Sequence, residues 1–144
     1  MATKKELERC VTNAIKVVRH RVKQSRQAHP QVKHKIKDYP AIIVACSYRS
    51  SKKVFWGQSE SPVNHIYEDR LRKRLEGLAP IGTKRPGCDN TIGSCAEPHA
   101  ADLVLKKAPR CNLNKLQFSR AYRPRTAKHK RYCRNCKDTF HEVL

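Results

Sequence analysis

The sequence has few acidic residues: 12 Asp and Glu stand against 32 Lys and Arg, and the formal net charge is +20. A field of this sign attracts polyanions, so nucleic acid is the first candidate partner. A basic surface that is merely solvated is the alternative that this composition leaves open. An anionic membrane surface is a weaker candidate than either.

Long apolar runs are also missing. No stretch approaches the roughly 20 apolar residues of a membrane span. The first ten residues, MATKKELERC, are charged and lack the apolar region of a secretory signal. We therefore expect no membrane association and an intracellular location, cytoplasmic or nuclear. A domain cut from a larger secreted protein is the alternative, because Met1 can be the start of such a piece.

The number of cysteines is odd, whereas a framework of disulfides needs an even number. There are seven of them, and Cys133 and Cys136 form a C-x-x-C pair. Without a secretory signal, this count favours metal binding or free thiols over disulfides. Cys10 and Cys46 lie on apolar faces of predicted elements, where we expect small core residues.

The length of 144 residues predicts one domain, 1–144, with a basic N-terminal helix and connector over 1–40 and the core over 41–144. The first helix is predicted from Thr3 to about Gln27, because Thr3 and Glu6 have the spacing of a capping box. Its apolar stripe repeats at spacings of three and four. The stripe consists of Leu7, Val11, Ala14, Val18 and Val22.

The rest of the chain alternates strands and helices. Residues 41–48, AIIVACSY, predict a buried strand, and KVFWGQS predicts its antiparallel hairpin partner. A second helix is predicted from Ser61 or Asn64 to about 78, and a third from Cys95 to about 107. A strand over 114–124, a basic loop over 120–134 and a last helix from Cys133 complete the order. This order predicts a layered α/β fold, with a small sheet covered by helices.

The pair Cys133 and Cys136 is the commonest way to supply two zinc ligands. Cys95 comes from a second predicted helix start, and the N–H groups of a helix N-terminus favour a thiolate. Glu97 would then lie near the metal without being a ligand. A carboxylate in that position can move a proton from water to a ring nitrogen and a leaving amine. This spacing is typical of zinc nucleobase deaminases.

The segments CAEPHAADLVLK and YCRNCKDTF resemble the cytidine deaminase-like superfamily, and most of all the bacterial polymorphic-toxin deaminases of the YwqJ-like kind. The resemblance covers 41–144 and implies a three-layer α/β fold with a small mixed sheet flanked by helices. The helix at 65–78 would be an insertion, and the C-terminal end would be truncated. Tyr132 stands where the family usually has proline.

The resemblance also implies the site. Cys95, Cys133 and Cys136 would bind Zn²⁺, and Glu97 would be the proton shuttle of a hydrolytic deaminase. The attacked atom would be C4 of cytosine or C6 of adenine, with cytosine in DNA favoured over adenine or RNA. The resemblance leaves open that the protein is a toxin domain delivered into a target cell, with an acidic immunity protein as its partner.

Two other functions stay open at this point. A fourth thiolate from Cys88 or Cys111 would close the zinc site. The protein would then be a non-enzymatic, zinc-stabilised nucleic-acid-binding protein. A cytidine deaminase of free nucleosides is the second alternative, although free nucleosides need no field of this strength.

Candidate substrate contacts flank the predicted centre. Asn64 and His65 are expected to line the pocket, with helix capping as the alternative for Asn64. Trp56 is expected to stack on a base or to pack in the core. Contacts to phosphates are expected from the basic loop that leads into Cys133. These contacts are Arg123, Arg125, Lys128, Lys130 and Arg131. His99 should point away from Cys95 and Glu97 and have a surface or packing role rather than bind the metal.

Overall fold

A computed structural model describes residues 1–144. Helix α1 (Lys4–Ala28) begins where the sequence predicts it, because Thr3 Oγ1 accepts a hydrogen bond from the backbone N–H of Glu6 at 3.1 Å. Its predicted stripe is buried and packs against Ile43 and Ala45 of the sheet. Helix α1 therefore forms one outer layer of the fold.

Strands β1 (Ile43–Tyr48) and β2 (Val54–Gln58) form the predicted hairpin, with Ile43 opposite Gln58. The strand predicted over 114–124 is divided into β3 (Leu116–Phe118) and β4 (Ala121–Tyr122). Between them, the hydroxyl of Ser119 accepts the N–H of Ala45 at 2.9 Å, so a side chain replaces a backbone carbonyl in the ladder. This side-chain hydrogen bond interrupts the regular backbone pairing, so β3 and β4 are separate strands.

The sequence predicts a loop over the basic segment 120–134, and this prediction is wrong at residues 129 and 130. Strand β5 (His129–Lys130) pairs antiparallel with β4 and makes a short hairpin. The hairpin is closed by the N–H of Arg123, which donates to the carbonyl of Lys128 at 2.8 Å. At its tip, Ala127 has a φ of 58°.

The five-stranded sheet has the order β2-β1-β4-β5, and β3 pairs with β1 beside β4. Every pairing is antiparallel, so the sheet is not mixed as expected. The reason is the central position of β1, which runs opposite to all of its neighbours β2, β3 and β4.

Helix α2 (Asp69–Leu78) starts later than Ser61 or Asn64, so that prediction is wrong. Asn64 has a φ of 63°, which a right-handed helix cannot contain. The N-cap is Glu68, whose carboxylate accepts the N–H groups of Arg70 and Leu71.

Helices α3 (Ala96–Lys107) and α4 (Arg134–Thr139) start at the two predicted cysteines, because Cys95 and Cys133 are their N-cap residues. Helix α3 packs on the face of the sheet opposite α1, and α2 and α4 contact each other on the same side. The predicted three-layer α/β class is thereby confirmed. None of the four α-helices combines the length and the apolarity that crossing a lipid bilayer requires.

Gly57 on β2 allows α3 to lie close to the sheet. A Cβ atom at this position would be 2.9 Å from the Ala96 carbonyl oxygen and 2.9 Å from the Ala100 Cα, and closer still to the Ala100 nitrogen. These distances are shorter than normal contacts, so only glycine fits. The close approach determines where the first turn of α3, and hence Cys95, stands relative to the sheet.

Candidate metal centre

The thiols of Cys95, Cys133 and Cys136 converge, although up to 41 residues of sequence separate them. Their sulfur atoms lie within 4.8 Å of one another, and the Cys95 and Cys133 sulfurs are 3.4 Å apart. Zinc–sulfur bonds of about 2.3 Å in a tetrahedral shell place sulfurs about 3.8 Å apart. The three cysteines therefore fit a metal ion, and their thiolate chemistry suits zinc.

Two helix N-termini bring these sulfurs together. Cys95 and Cys133 have extended backbone angles, and neither side chain caps its own helix, so both sulfurs are free to face each other. Cys136 lies one turn into α4 and is buried. The arrangement confirms the geometry that the spacing of the cysteines predicts.

Hydrogen bonds within the cluster favour one thiolate. The thiols of Cys136 and Cys95 interact with the sulfur of Cys133, and these bonds hold the pKa of Cys133 well below its usual range. The same bonds raise the pKa of Cys95 and of Cys136. These shifts favour a thiolate at Cys133, and a thiolate is the form of cysteine that binds a metal ion.

Glu97 lies beside the cluster in the first turn of α3. Only 4% of the residue is exposed, and its Oε2 accepts a hydrogen bond from the Cys136 sulfur at 3.2 Å. Burial raises the pKa of this carboxyl group. Glu97 also lines a cavity of 250 Å³ together with Cys95 and Cys133. Glu97 and two of the three clustered cysteines therefore border the same space, while Cys136 is buried behind it.

The fourth cysteine that would close the site is not in the cluster. The group of three contains neither Cys88 nor Cys111. Cys88 is half-buried in the loop before α3. Cys111 is buried elsewhere, and its sulfur donates to the carbonyl of Asn112 at 3.3 Å.

A side-chain network ties the loop 82–94 to α4. Arg85 donates from Nε to Asn135 Oδ1 at 2.7 Å, and its guanidinium also pairs with Asp138. Asn135 in turn donates to the carbonyl of Asn90 at 2.9 Å. Because Asn135 lies between the two cysteines of the C-x-x-C pair, this network holds Cys133 against the loop that precedes Cys95.

A second network holds the same loop from the other side. The hydroxyl of Tyr67 donates to the carbonyl of Gly93, two residues before Cys95. His99 lies 3.2 Å from that hydroxyl and is buried, in agreement with its predicted packing role. The start of α3 is therefore held by contacts that involve no ligand.

Asn64 and His65 do not line the cavity. Nε2 of His65 is 2.9 Å from Oδ2 of Asp102, a buried residue further along α3. Asn64 is an exposed turn residue. Neither position is next to the three thiols.

Trp56 lies on the other side of the sheet. Its ring packs with the α1 cluster, and the guanidinium of Arg21 is 5.7 Å from the ring centroid. Phe55 faces α3 instead, as strand alternation requires. The structure therefore separates Trp56 from the cavity and favours its core-packing interpretation.

The predicted basic residues divide into three sets. Lys130 and Arg131 line the cavity, while Arg123 and Arg125 line a neighbouring groove. Lys128 is exposed near the tip of the β4–β5 hairpin and lines neither space. Two of the five predicted contacts therefore lie at the candidate site itself.

Several cavity residues were not predicted from the sequence. Ser59 and Glu60 follow β2 directly, at the end of the strand next to Cys95, and this position was a usable signal. Asn90 and Ser94 come from the glycine- and proline-rich loop, which carries no comparable signal. The complete set of unpredicted lining residues is Ala41, Ile42, Ser59, Glu60, Asn90, Ser94, Ala96 and Ala121.

Comparison of the chain with protein-family models, with curated protein sequences and with solved structures finds no match. The fold and the site therefore define the protein as a three-layer α/β protein whose three clustered cysteines can hold a metal ion.

Proposed function

We propose that this protein is a zinc-dependent hydrolytic deaminase that converts cytosine to uracil in DNA. The observation that carries the proposal is the position of Glu97. Its buried carboxyl group lies 3.2 Å from the sulfur of Cys136, and the residue lines the same cavity as the other two cysteines. A metal site with an adjacent proton carrier and an accessible cavity is suited to hydrolysis.

Cys95, Cys133 and Cys136 would hold the zinc ion. Zinc bound by three protein ligands acts as a Lewis acid and lowers the pKa of a coordinated water to about 7. The protein's own contribution is to fix three thiolates at two helix N-termini and to keep the fourth cysteine, Cys88, outside the group. Three protein ligands would leave a fourth position of a tetrahedral zinc ion to water.

Glu97 would move the protons. Its Oε2 would accept one proton from water and deliver it to the ring nitrogen of the base. It would then take the second proton from the hydroxyl group added to the ring carbon and pass it to the amine, so that the carbon–nitrogen bond breaks and ammonia leaves. The carboxyl group can reach both places only if the base enters the cavity. Ser59, Glu60 and Asn90 would offer polar groups to the edge of that base.

The substrate class follows from size and charge. The cavity of 250 Å³ is slightly below the roughly 300 Å³ at which typical small-ligand sites begin. This volume fits one base better than an extended ligand. The net charge of +20, with Lys130 and Arg131 at the cavity, suits a base that is attached to a phosphate backbone. Such a base must leave any duplex before it can react.

The first experiment replaces Glu97 by glutamine, which keeps the size of the side chain. We expect Glu97→Gln to bind one zinc ion per chain and to lose deamination of cytosine-containing oligonucleotides by at least about 100-fold, the lower range for a general acid–base group. Glu76→Gln, on the exposed surface of α2, is the matched control and should retain full activity. Full activity of the Glu97→Gln variant would overturn the mechanism.

The second experiment separates the enzyme from a zinc-stabilised binding protein. X-ray absorption of the zinc-loaded protein should show three sulfur ligands and one light atom. Four sulfurs would mean that Cys88 or another thiol closes the site, and the protein would then be a structural zinc protein.

We also propose that the deaminase is a toxin domain, with an acidic immunity protein as its partner. The excess of basic residues supports this proposal, because it provides a complementary surface for an acidic protein. Expression of the protein in growing cells should be toxic, and toxicity should depend on Glu97. Harmless expression of an active enzyme would contradict this part of the proposal.

A further inference from the structure

A basic groove of 690 Å³ lies beside the cavity and is not used by the proposed chemistry. One wall is the connector between α1 and β1, and the other is the β4–β5 hairpin. Five cationic side chains line the groove, and no acidic residue does. These cations are Lys35, Lys37, Arg123, Arg125 and Lys130.

Helix α1 fixes the connector wall through Arg26. The guanidinium of Arg26 pairs with Asp38 at 3.2 Å, donates to the carbonyl of Lys35 at 3.2 Å, and stacks over Tyr39 at 5.3 Å from the ring centroid. Asp38 also accepts the backbone N–H of Lys35 at 3.0 Å. The one acidic residue of the connector is therefore engaged in holding the wall.

Helix α1 also fixes the hairpin wall, through Arg19. Nε of Arg19 donates to the carbonyl of Pro124 at 2.8 Å, and a second guanidinium nitrogen donates to the carbonyl of Arg125 at 3.2 Å. Arg19 and Arg26 are seven residues apart and thus share one face of the helix. Both walls are consequently held at a fixed separation by the same rigid element.

The groove and the cavity form one continuous surface. Ala41 and Lys130 line both of them. A chain of phosphates lying in the groove therefore passes directly to the entrance of the cavity. Tyr39 adds an aromatic side chain to the groove, and an aromatic ring among cations is typical of sites for unpaired nucleotides.

We propose that this groove binds the single-stranded DNA that flanks the target base on one side. This inference rests on the proposed deaminase function, because it assumes that a base occupies the cavity. The five cations would contact phosphates, and Tyr39 would stack on a neighbouring base. A single strand is favoured over a duplex because the connected cavity accepts a base only after it has left its stack.

The test compares two double variants that change the net charge equally. Lys35→Glu with Lys37→Glu reverses two cations of the groove. Lys52→Glu with Lys53→Glu reverses two exposed lysines in the β1–β2 turn, at the opposite end of β1 from the cavity. Unfolding midpoints of both variants should match that of the unaltered protein, since all four side chains are exposed.

Binding of the zinc-loaded full chain to a cytosine-containing single-stranded oligonucleotide is measured by fluorescence anisotropy over a range of salt concentrations. We expect the groove variant to bind roughly tenfold more weakly near 0.1 M salt. Its slope of log K against log salt should fall by about 1.4, the value for two lost phosphate contacts to a single strand. The turn variant should keep the slope of the unaltered protein.

Deamination of the same oligonucleotides separates the two proposals. Oligonucleotides with the target cytosine at the 5′ end, at the 3′ end or in the middle should differ, because the groove extends to one side only. If the unaltered protein deaminates no substrate, the proposed function fails while groove binding is still measured. Three results would overturn the groove inference. The protein could deaminate all of these oligonucleotides equally, or the two charge variants could lose the same affinity. It could also bind a duplex more tightly than a single strand.

Discussion

Cys88 lies seven residues before Cys95, in the same loop that reaches the metal centre. That loop is fixed by Asn90, whose carbonyl accepts a hydrogen bond from Asn135, and by Arg85, which pairs with Asp138. Both contacts hold the loop against α4 while leaving Cys88 outside the group of three thiols. At the scale of single residues, the proposed open coordination position would depend on this placement.

Replacing one of the three clustered cysteines should therefore weaken zinc binding more than replacing Cys88. We expect Cys136→Ser to weaken zinc binding by more than the roughly 10–100-fold that loss of an outer-shell partner costs, since it removes one of three thiolates. Cys88→Ser should bind one zinc ion with unchanged affinity. Competition with a chromogenic chelator measures both variants. Equal losses in the two would show that Cys88 is a fourth ligand.

The cluster of three cysteines could be predicted at the residue scale because the signals are local. The C-x-x-C spacing and the start of a helix at Cys95 are visible in short segments of sequence. Asn90 and Asn135 were not predicted, since their roles depend on a contact between residues 45 positions apart. His65 was assigned to the pocket, but the buried carboxylate of Asp102 holds it further along α3.

At the scale of elements, the contact between β2 and α3 determines where the first turn of α3 stands. Gly57 leaves no room for a side chain against Ala96 and Ala100, both of which are fully buried. The small residues of α3 and the glycine of β2 together allow the close approach. Cys95 and Glu97 are in the part of α3 that this contact positions.

Gly57→Ala should therefore damage the site without touching a ligand. The added methyl group must displace the start of α3, so we expect the free energy of unfolding to fall by about 1–3 kcal/mol and zinc affinity to fall with it. Gly77→Ala is the control, because a Cβ atom there has no neighbour within 4 Å. It lies inside α2, where alanine should stabilise by about 0.5–1 kcal/mol. Urea unfolding and zinc titration of both variants provide the comparison.

Elements with a local signal were predicted well, and elements fixed by distant contacts were not. Helix α1 has its cap and stripe within one segment. By contrast, the break between β3 and β4 depends on the hydrogen bond that the N–H of Ala45 donates to the hydroxyl of Ser119. The start of α2 depends on Asp102, which accepts the N–H of Glu68 at 2.7 Å. The β4–β5 hairpin has no apolar alternation that would distinguish it from a basic loop.

At the scale of the whole molecule, the C-terminal residues are joined to α2 by an ion pair. Arg74 binds both carboxylate oxygens of Glu142, with one distance of 2.7 Å, and also donates to the carbonyl of Thr139 at 3.0 Å. The guanidinium lowers the pKa of Glu142 to about 2. Through these bonds α4 and the residues after it are held against α2.

Because of this ion pair, we expect the free energy of unfolding to depend on pH. Because the pKa of Glu142 is lower in the folded state, its contribution is complete above the ordinary value of 4.5 and is lost as the pH falls towards 2. We expect Glu142→Gln to cost about 1 kcal/mol at pH 7, a value reduced by solvent screening of a partly exposed pair, and almost nothing near pH 2. Urea unfolding from pH 7 to pH 2 measures the difference. A cost independent of pH would exclude the ion pair as its source.

The packing of helix α1 on the sheet limits how far the chain can be shortened from its N-terminus. Six apolar side chains of α1 cover Ile43 and Ala45, which are completely inaccessible to solvent beneath the helix. A fragment that begins at residue 41 would keep every proposed ligand but would present the underside of a β-sheet to water. Such a surface promotes edge and face association between copies. Helix α1 is therefore part of the packed core. We expect that removing it from the N-terminus would produce aggregates rather than a smaller folded domain.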